Sequence, residues 1–388
     1  MEETWRWFGP KDAISLQDVR QTGATGVVST LHDVAPGLVW AESAIAGRNS
    51  MIQAAGLDWS VFESIPVPDS IKRDGAAAVA EIDAWKLSLE RLGRTGVCTV
   101  CYNFIPVVDW TRTDLVFKLL NCGFALRYDH IDFVAYDVFV LARKDADDDY
   151  APQDVALAQE RYAKLDENAQ LALEKKIIAG LPGAADWLSR ASISSLIDSF
   201  KGMSKDDMRS NLSHFLSEIV PVAQEFGVKL AIHPDDPPLP LFGLPRIVSN
   251  AGDARFILGA NDAPENGLTF CAGSYGARQE NDLGTMAQEF ASRVNFLYLR
   301  MVNLEGNYCF HEGDHLHRLS EMVAIVRALR NAEQQSHNEI PIRPDHGHLL
   351  ATDAGLAANP GYSYIGCLKG LAEIRVLIAG FDNGEVAA

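Results

Sequence analysis

The densest chemistry in the chain is the stretch Ile342-Arg-Pro-Asp-His-Gly-His348, where Arg343, Asp345, His346 and His348 fall within six positions. A guanidinium, a carboxylate and two imidazoles so close together can bind an anion, ligate a metal ion and move a proton. The stretch follows a short apolar run, Ile340-Pro-Ile342. Pro344 removes a ladder donor and Gly347 allows backbone conformations that other residues avoid, so the polar groups should fan out beyond a strand end. Without a fold around them the same residues read equally as a polar loop with solvated histidines.

The elements that would position them repeat. Val228-Lys-Leu-Ala-Ile232 runs into His233-Pro-Asp-Asp-Pro-Pro, Leu268-Thr-Phe270 into Cys271-Ala-Gly-Ser-Tyr-Gly, Val294-Asn-Phe-Leu297 into Tyr298-Leu-Arg300, and Ile340-Pro-Ile342 into Arg343-Pro-Asp345-His346. The stretches between, around 244–250, 281–292 and 319–331, have helical composition. Repeated strand-helix units that end on reactive side chains predict a closed parallel α/β barrel, a (β/α)8 TIM barrel whose chemistry gathers at the C-terminal strand ends. His233, Cys271 and Asp345 would then share one mouth. A nitrogen, a sulfur and an oxygen donor suit a borderline divalent ion such as Mn²⁺, Fe²⁺, Co²⁺ or Zn²⁺; the alternative is three unrelated core residues.

The first half carries the same alternation with an interruption. Ala24 to Leu31 is expected as strand one, leaving at His32-Asp33; Ala41 to Ala55 as a helix stopped by Gly56; and Trp59 to Phe62 as strand two. Ile82, Trp85, Leu89 and Leu92 recur at helical spacing ahead of a strand over Val97 to Tyr102. Cys98 and Cys101 on that strand face opposite sides, and no second C-x-x-C completes a zinc site. From about 103 to 203 the rhythm breaks into an insertion within a single barrel domain spanning 1–388. It comprises a loop over Asn103 to Leu115, a hairpin or lid over Asp132 to Leu141, an acidic linker over Asp145 to Asp149, and a long polar helix from Asp154 to Ala179 closed by Gly180 and Pro182. Ser204, with Asp207 three residues on, is expected to cap a helix carrying Met208, Leu212, Phe215 and Ile219 inward and kinked at Pro221.

Composition narrows the partners. The 388 residues are 47% hydrophobic and 22% charged, enough for a large core. The formal charge of −18 repels nucleic-acid backbones and anionic lipid surfaces. No run approaches the roughly 18 apolar residues of a membrane span, and the opening Met-Glu-Glu-Thr-Trp-Arg-Trp lacks a signal-peptide pattern, so a cytoplasmic protein is expected. The six cysteines show no disulfide-framework spacing. Oligomeric state is not set by the sequence, although an acidic barrel could form a homo-oligomer through a helical insertion.

Taken together, Trp5-Arg-Trp-Phe-Gly-Pro10, Tyr102-Asn-Phe with Asp109-Trp-Thr-Arg-Thr113, Ala231-Ile-His-Pro-Asp-Asp-Pro-Pro238, Phe270-Cys-Ala-Gly-Ser-Tyr-Gly276, Arg343-Pro-Asp-His-Gly-His348 and Asn359-Pro-Gly-Tyr-Ser363 resemble the mannonate dehydratase family nearly end to end. The resemblance implies a xylose-isomerase-like barrel and a metal-dependent conversion of the sugar acid D-mannonate to 2-keto-3-deoxy-D-gluconate and water in hexuronate breakdown. It implies His233, Cys271 and Asp345 as ligands of Mn²⁺ or Fe²⁺, and His346 and Tyr362 as the proton-transfer pair. The chain departs from the family pattern in three places. Tyr298 stands where a fourth ligand, a histidine in a His-Leu-Arg triplet, is usual; Cys367 stands where arginine is usual; and Leu316-His-Arg-Leu319 replaces a longer turn.

Arg6, Arg300 and Arg343 are the candidates for pairing with a substrate carboxylate in two-point fashion, with one of them expected to do so. His32, Asp235 and Asp236 are further mouth residues, the two aspartates between prolines also reading as turn-formers. His311 and His315 fall in the loop after the Tyr298 strand, where solvated histidines are usual, though His311 could substitute for the missing ligand. The departures leave two other functional classes in view: an impaired or degenerate sugar-acid-binding homologue, and a sugar isomerase or epimerase on the same barrel.

Overall fold

Strands covered on both faces read as unbroken apolar runs, and Asn266–Cys271 and Val294–Leu299 are buried at every residue. The computed structural model of the chain describes residues 1–178, 189–356 and 358–384. In chain order its strands are β1 (Glu2–Arg6), β2 (Gly26–Ser29), β3 (Asp58–Glu63), β4 (Thr99–Tyr102), β5 (Asp114–Lys118) and β6 (Phe124–Tyr128). There follow β7 (Lys229–Ile232), β8 (Asn266–Cys271), β9 (Val294–Leu299), β10 (Val302–Gly306), β11 (Cys309–Glu312) and β12 (Pro341–Pro344). Eight of them close a parallel barrel in the order β1-β12-β9-β8-β7-β4-β3-β2. Register sets Arg343 of β12 beside Tyr298 of β9, and Tyr298 beside Cys271 of β8. Val28, Val61, Cys101, Ala231, Cys271, Phe296 and Tyr298 fill the barrel axis.

The barrel opens one strand earlier than the sequence pattern predicts. Glu2–Arg6 was hidden by its acidic start, which is used locally: Ser60 donates to Glu2, and Arg375 Nε donates to Glu3 at 2.8 Å. Outside the barrel, the helix Val79–Arg94 turns Ile82, Trp85, Leu89 and Leu92 inward and lays Trp85 on Phe215 of the helix Lys205–Phe226, ring centroids 5.1 Å apart. Ser204 caps that second helix in a reciprocal box with Asp207, and Gly227 ends it at φ 66°.

Between β4 and that helix lies the inserted segment. The hairpin expected over Asp132 to Leu141 sits instead at β5 and β6, while His130–Ala135 and Tyr136–Val140 are helical. Their aromatic and β-branched residues suggested a strand, yet Phe133, Tyr136 and Val140 recur at helical spacing and bury together. The single helix expected from Asp154 divides into Pro152–Tyr162 and Glu167–Ile178, because the Asp166 side chain accepts from the Ala169 N–H and starts a new helix. Its predicted stop at Ala179, Gly180 and Pro182 lies outside the described residues. Around 244–250 the chain is irregular, since Asp235 captures the Val248 N–H that a helix would have used and accepts from the Ser249 hydroxyl as well; the helix there is Ala251–Ala260.

A second, antiparallel sheet, β10-β11-β6-β5, joins the insertion to the hairpin that follows β9. It brings Arg112 and Glu312, 200 positions apart, into contact beside Asp236 at the barrel mouth. Among the described residues no helix is long and apolar enough to cross a membrane.

Candidate active site

A cleft at the C-terminal ends of the strands is lined by Glu63, Trp110, His233, Tyr298, Arg343, Asp345, His346 and Tyr362, with Asn103, Asp109 and Asp236 at its edge. A second cavity opens at the opposite end of the barrel, by Glu2, Trp59 and Lys229. Catalytic groups in this architecture come from the C-terminal ends, and the singled-out residues are there.

Three arginines were candidates for the substrate carboxylate, and the structure separates them. Arg300 is spent on the protein: Nη1 donates to both Glu312 oxygens at 3.0 and 2.9 Å, Nη2 to Asp236 and to Ser274 Oγ, and Nε stands 3.0 Å from Asp345 Oδ2. Arg6 donates Nη1 to the Glu63 carbonyl at 2.6 Å and lies over the Phe8 ring. Only Arg343 of the three lines the cleft. Its Nη1 is 2.9 Å from Glu63 Oε2 and its Nη2 is 3.0 Å from Asp345 Oδ1, close enough for charge contact. Nη1, Nε and Asp345 Oδ1 nonetheless lack aligned hydrogen-bond partners. Buried donors in that state retain directional capacity for a bound anion.

His346 and Tyr362 flank Arg343, their rings 5.6 Å apart edge to face. His346 adopts φ 45°, a left-handed turn imposed after Asp345 that aims its ring beneath the edge of Trp110, 5.7 Å away. Glu312 Oε1 lies 2.9 Å from His346 Nδ1. Burial would raise the Glu312 carboxyl, but Arg300, His346 and Arg112 overcome it and hold it well below the usual range. Glu312 is therefore an ionised acceptor for the His346 Nδ1–H, and His346 Nε2 lies 3.8 Å from Asp345 Oδ2. Tyr362 accepts from Arg343 Nη2 at 3.3 Å, and burial, then Asp345, pushes its phenol well above the ordinary value. An imidazole and a phenol that keeps its proton thus line the same cleft.

The expected metal donors do not assemble. Among the described residues no three His, Cys, Asp or Glu side chains gather into a group that could hold a metal ion. His233 alone keeps a ligand-like posture: Nδ1 meets the Pro234 carbonyl at 2.7 Å, leaving Nε2 free, and burial lowers its pKa. Asp345 faces guanidinium groups with both oxygens, Arg300 at Oδ2 and Arg343 at Oδ1. Cys271 is no part of the cleft lining; it accepts from Ser274 N and Oγ at 3.4 and 3.1 Å, and burial pushes its thiol up to about 11. Tyr298 turns its hydroxyl toward Cys101 Sγ, 3.5 Å away in the barrel axis, and burial drives its phenol far up. His311 supplies no replacement, being on β11 in contact with Glu305 and Asn303. The donor types suit a divalent ion, but as arranged the described residues do not fit one.

Other expectations settle as packing. His32 stacks on Phe8 outside the cleft lining. Asp235 shapes its turn, while Asp236 accepts from Arg112 Nη1 at 2.7 Å. His348 holds the Glu312 carbonyl at 2.8 Å, and His315 is buried behind. Cys367 lies under the Asp345-His346-Gly347 turn: a Cβ on Gly347 would come within 2.4 Å of its backbone nitrogen. Sequence reasoning passed over Glu63, Trp110, Arg112 and Glu312 as functional groups. Glu63 ends β3 as the other reactive residues end theirs, and Glu312 follows a histidine already noted, so both carried a local signal.

Comparisons with known proteins give the family. The family model described as D-mannonate dehydratase (UxuA) matches residues 1–387. Mannonate dehydratase 2 of Agrobacterium fabrum is 55% identical, covering 97% of this chain and 96% of that protein, and the mannonate dehydratase of Saccharophagus degradans is 49% identical over 97% of each. The crystal structure of mannonate dehydratase from Streptococcus suis superposes with a TM-score of 0.80 at 30% identity, covering 99% of this chain and 96% of that one. A D-psicose 3-epimerase from Clostridium cellulolyticum, at 10% identity and a TM-score of 0.52, covering 97% of this chain and 99% of its own, shares the barrel fold. A full-length family match, relatives near half identical and a barrel with its reactive groups at the C-terminal mouth leave one assignment: the chain belongs to the mannonate dehydratase family.

Proposed function

We propose that the chain dehydrates D-mannonate to 2-keto-3-deoxy-D-gluconate, a cytoplasmic step in hexuronate breakdown. The observation that carries this reading is the pair in the cleft beside Arg343: His346, its Nδ1 against the Glu312 carboxylate, and Tyr362, a phenol that burial keeps protonated. Arg343 binds the substrate carboxylate and stabilises the negative charge that develops when C2 loses its proton. His346 Nε2 takes that proton as general base. The electron pair forms C2=C3 as the C3–O bond breaks, and Tyr362 supplies the proton with which the hydroxyl leaves as water. The enol then ketonises: His346, its proton exchanged with solvent, protonates C3, and the C2 hydroxyl proton returns to the Tyr362 phenolate. Substrate minus one water is the product, and both residues end as they began.

Trp110 and Arg112 supply the roof. Arg112 ties the insertion to the barrel through Asp236 and Glu312, and its guanidinium lies 5.0 Å from the Trp110 ring centroid. A covered site strengthens each of these charge interactions. The test is to incubate the protein with D-mannonate in Mn²⁺-supplemented deuterated buffer. A 2-keto-3-deoxy acid with solvent deuterium at C3 is expected; unchanged mannonate, or an aldose-ketose product that keeps its oxygen, overturns the reading.

A further inference from the structure

Tyr298 is the residue through which this chain's pocket departs most from a metal centre. It is buried, held by register between Cys271 and Arg343, with its ring 4.9 Å from that of His233. Its hydroxyl is engaged by Cys101 Sγ, 3.5 Å away, and by the Glu63 carboxylate, so what it offers Arg343 is a ring face. The Arg343 guanidinium carbon lies 4.0 Å from the centre of that ring, a cation–π stack that fixes the plane of the fork. The fork is also bracketed by Glu63 and Asp345. On the other side of Asp345, Arg300 is wedged against Gly273, where an added Cβ would meet Nη1 at 2.3 Å. A divalent ion bound by Asp345 would have to displace one of its two guanidinium partners and sit beside the other.

We propose that this chain mounts Arg343 on the Tyr298 ring and binds the sugar-acid carboxylate there without a resident divalent ion. The proposal rests on the sugar-acid reading of the site for its ligand class, but not on turnover. The tyrosine is then a platform in place of a ligand. The direction of the carboxylate is set by Arg343 Nη1 and Nε, the donors without aligned partners.

The test uses the full chain, incubated with Mn²⁺ or Fe²⁺, desalted and assayed for metal, then titrated with D-mannonate by calorimetry in chelator and in Mn²⁺. Metal far below one ion per chain is expected, with the same Kd in both buffers. Tyr298→His should gain on the order of 10–100-fold in metal affinity. Tyr298→Phe, which keeps the ring, should bind D-mannonate about tenfold more tightly than Tyr298→Leu, which does not, with metal low in both. One ion per wild-type chain, binding lost in chelator, no gain of metal in Tyr298→His, or equal binding by the Phe and Leu variants each overturns the proposal. Chelator-resistant binding without dehydration would leave it standing and remove the dehydratase reading instead.

Discussion

Replacing Glu312 with glutamine tests the proton inventory of the site at its most connected point. Glu312 is 1% exposed, and its Oε1 alone faces Arg112 Nη2 at 2.7 Å, Arg300 Nη1 at 3.0 Å and His346 Nδ1 at 2.9 Å. An amide has one oxygen and one NH2, and cannot accept from all three. If the oxygen stays with the arginines, the NH2 faces His346; Nδ1 must then accept, the proton moves to Nε2, and the lone pair that takes the C2 proton is gone. General-base catalysis is worth ~10²–10⁴-fold, so kcat should fall within that range. KM should change little, because Glu312 makes no hydrogen bond to Arg343. Removing one charge from a buried ion network typically costs ~3–5 kcal/mol, and the retained shape and oxygen place glutamine near the lower figure, about 3 kcal/mol in urea unfolding. The assay is steady-state formation of the 2-keto-3-deoxy acid, with exchange of the substrate C2 proton measured separately. A folded Glu312→Gln protein whose kcat is within about threefold of wild type would refute the tautomer argument.

Tyr362→Phe should lose ~10²–10⁴-fold in kcat while still binding D-mannonate by calorimetry, since it removes the acid but leaves Arg343 on Tyr298. His315 is pushed down to about 4, chiefly by burial and then by His348 and Lys369. Above pH 6.5 it contributes no pH dependence; as pH falls toward 4 the unfolded chain takes up a proton that the folded one refuses, so the fold loses up to about 3 kcal/mol, a slope that His315→Asn should flatten in urea titrations across that window. Gly347→Ala drives a Cβ to 2.4 Å from the Cys367 backbone nitrogen, and should cost ~1–3 kcal/mol in thermal unfolding and displace His346, lowering kcat with it.

The parts of the fold legible in the sequence were those with a local signature. Four apolar runs that end on polar side chains are β7, β8, β9 and β12, because parallel strands buried on both faces show as uninterrupted hydrophobic residues. Ser204 with Asp207 was readable because a capping box is a three-residue affair. What escaped was decided by distant partners. β1 begins Glu-Glu-Thr and becomes a strand through pairing with β2 on one side and, on the other, with β12 near the opposite end of the sequence. The Phe133–Val140 run has strand composition and helical spacing, and its buried partners Phe242 and Phe310 settled the matter. Arg112, Asp236 and Glu312 form one cluster from three segments, and no spacing rule connects them. The Tyr298 departure was visible as a substitution, but its use as a ring under Arg343 depends on the β9-β12 register.

A chain of formal charge −18 that takes an anionic substrate must solve the repulsion locally. The mouth does so with Arg6, Arg112, Arg300 and Arg343 set among Glu63, Asp236, Glu312 and Asp345, all buried. Such pairs are weak contributors to stability, because desolvating each ion offsets most of the attraction. Their value here is orientational. Three of the guanidinium groups have their forks turned onto the protein, and the fourth, Arg343, is the one that lines the cleft, with Nη1 and Nε lacking aligned acceptors. The carboxylates around it keep the cleft near neutrality in the absence of substrate, so that an arriving carboxylate meets a directed pair of N–H groups and not a diffuse positive field. It follows that selectivity for acids over neutral sugars should depend on the geometry of Arg343, and through the stacked ring on residue 298, more than on the number of arginines present.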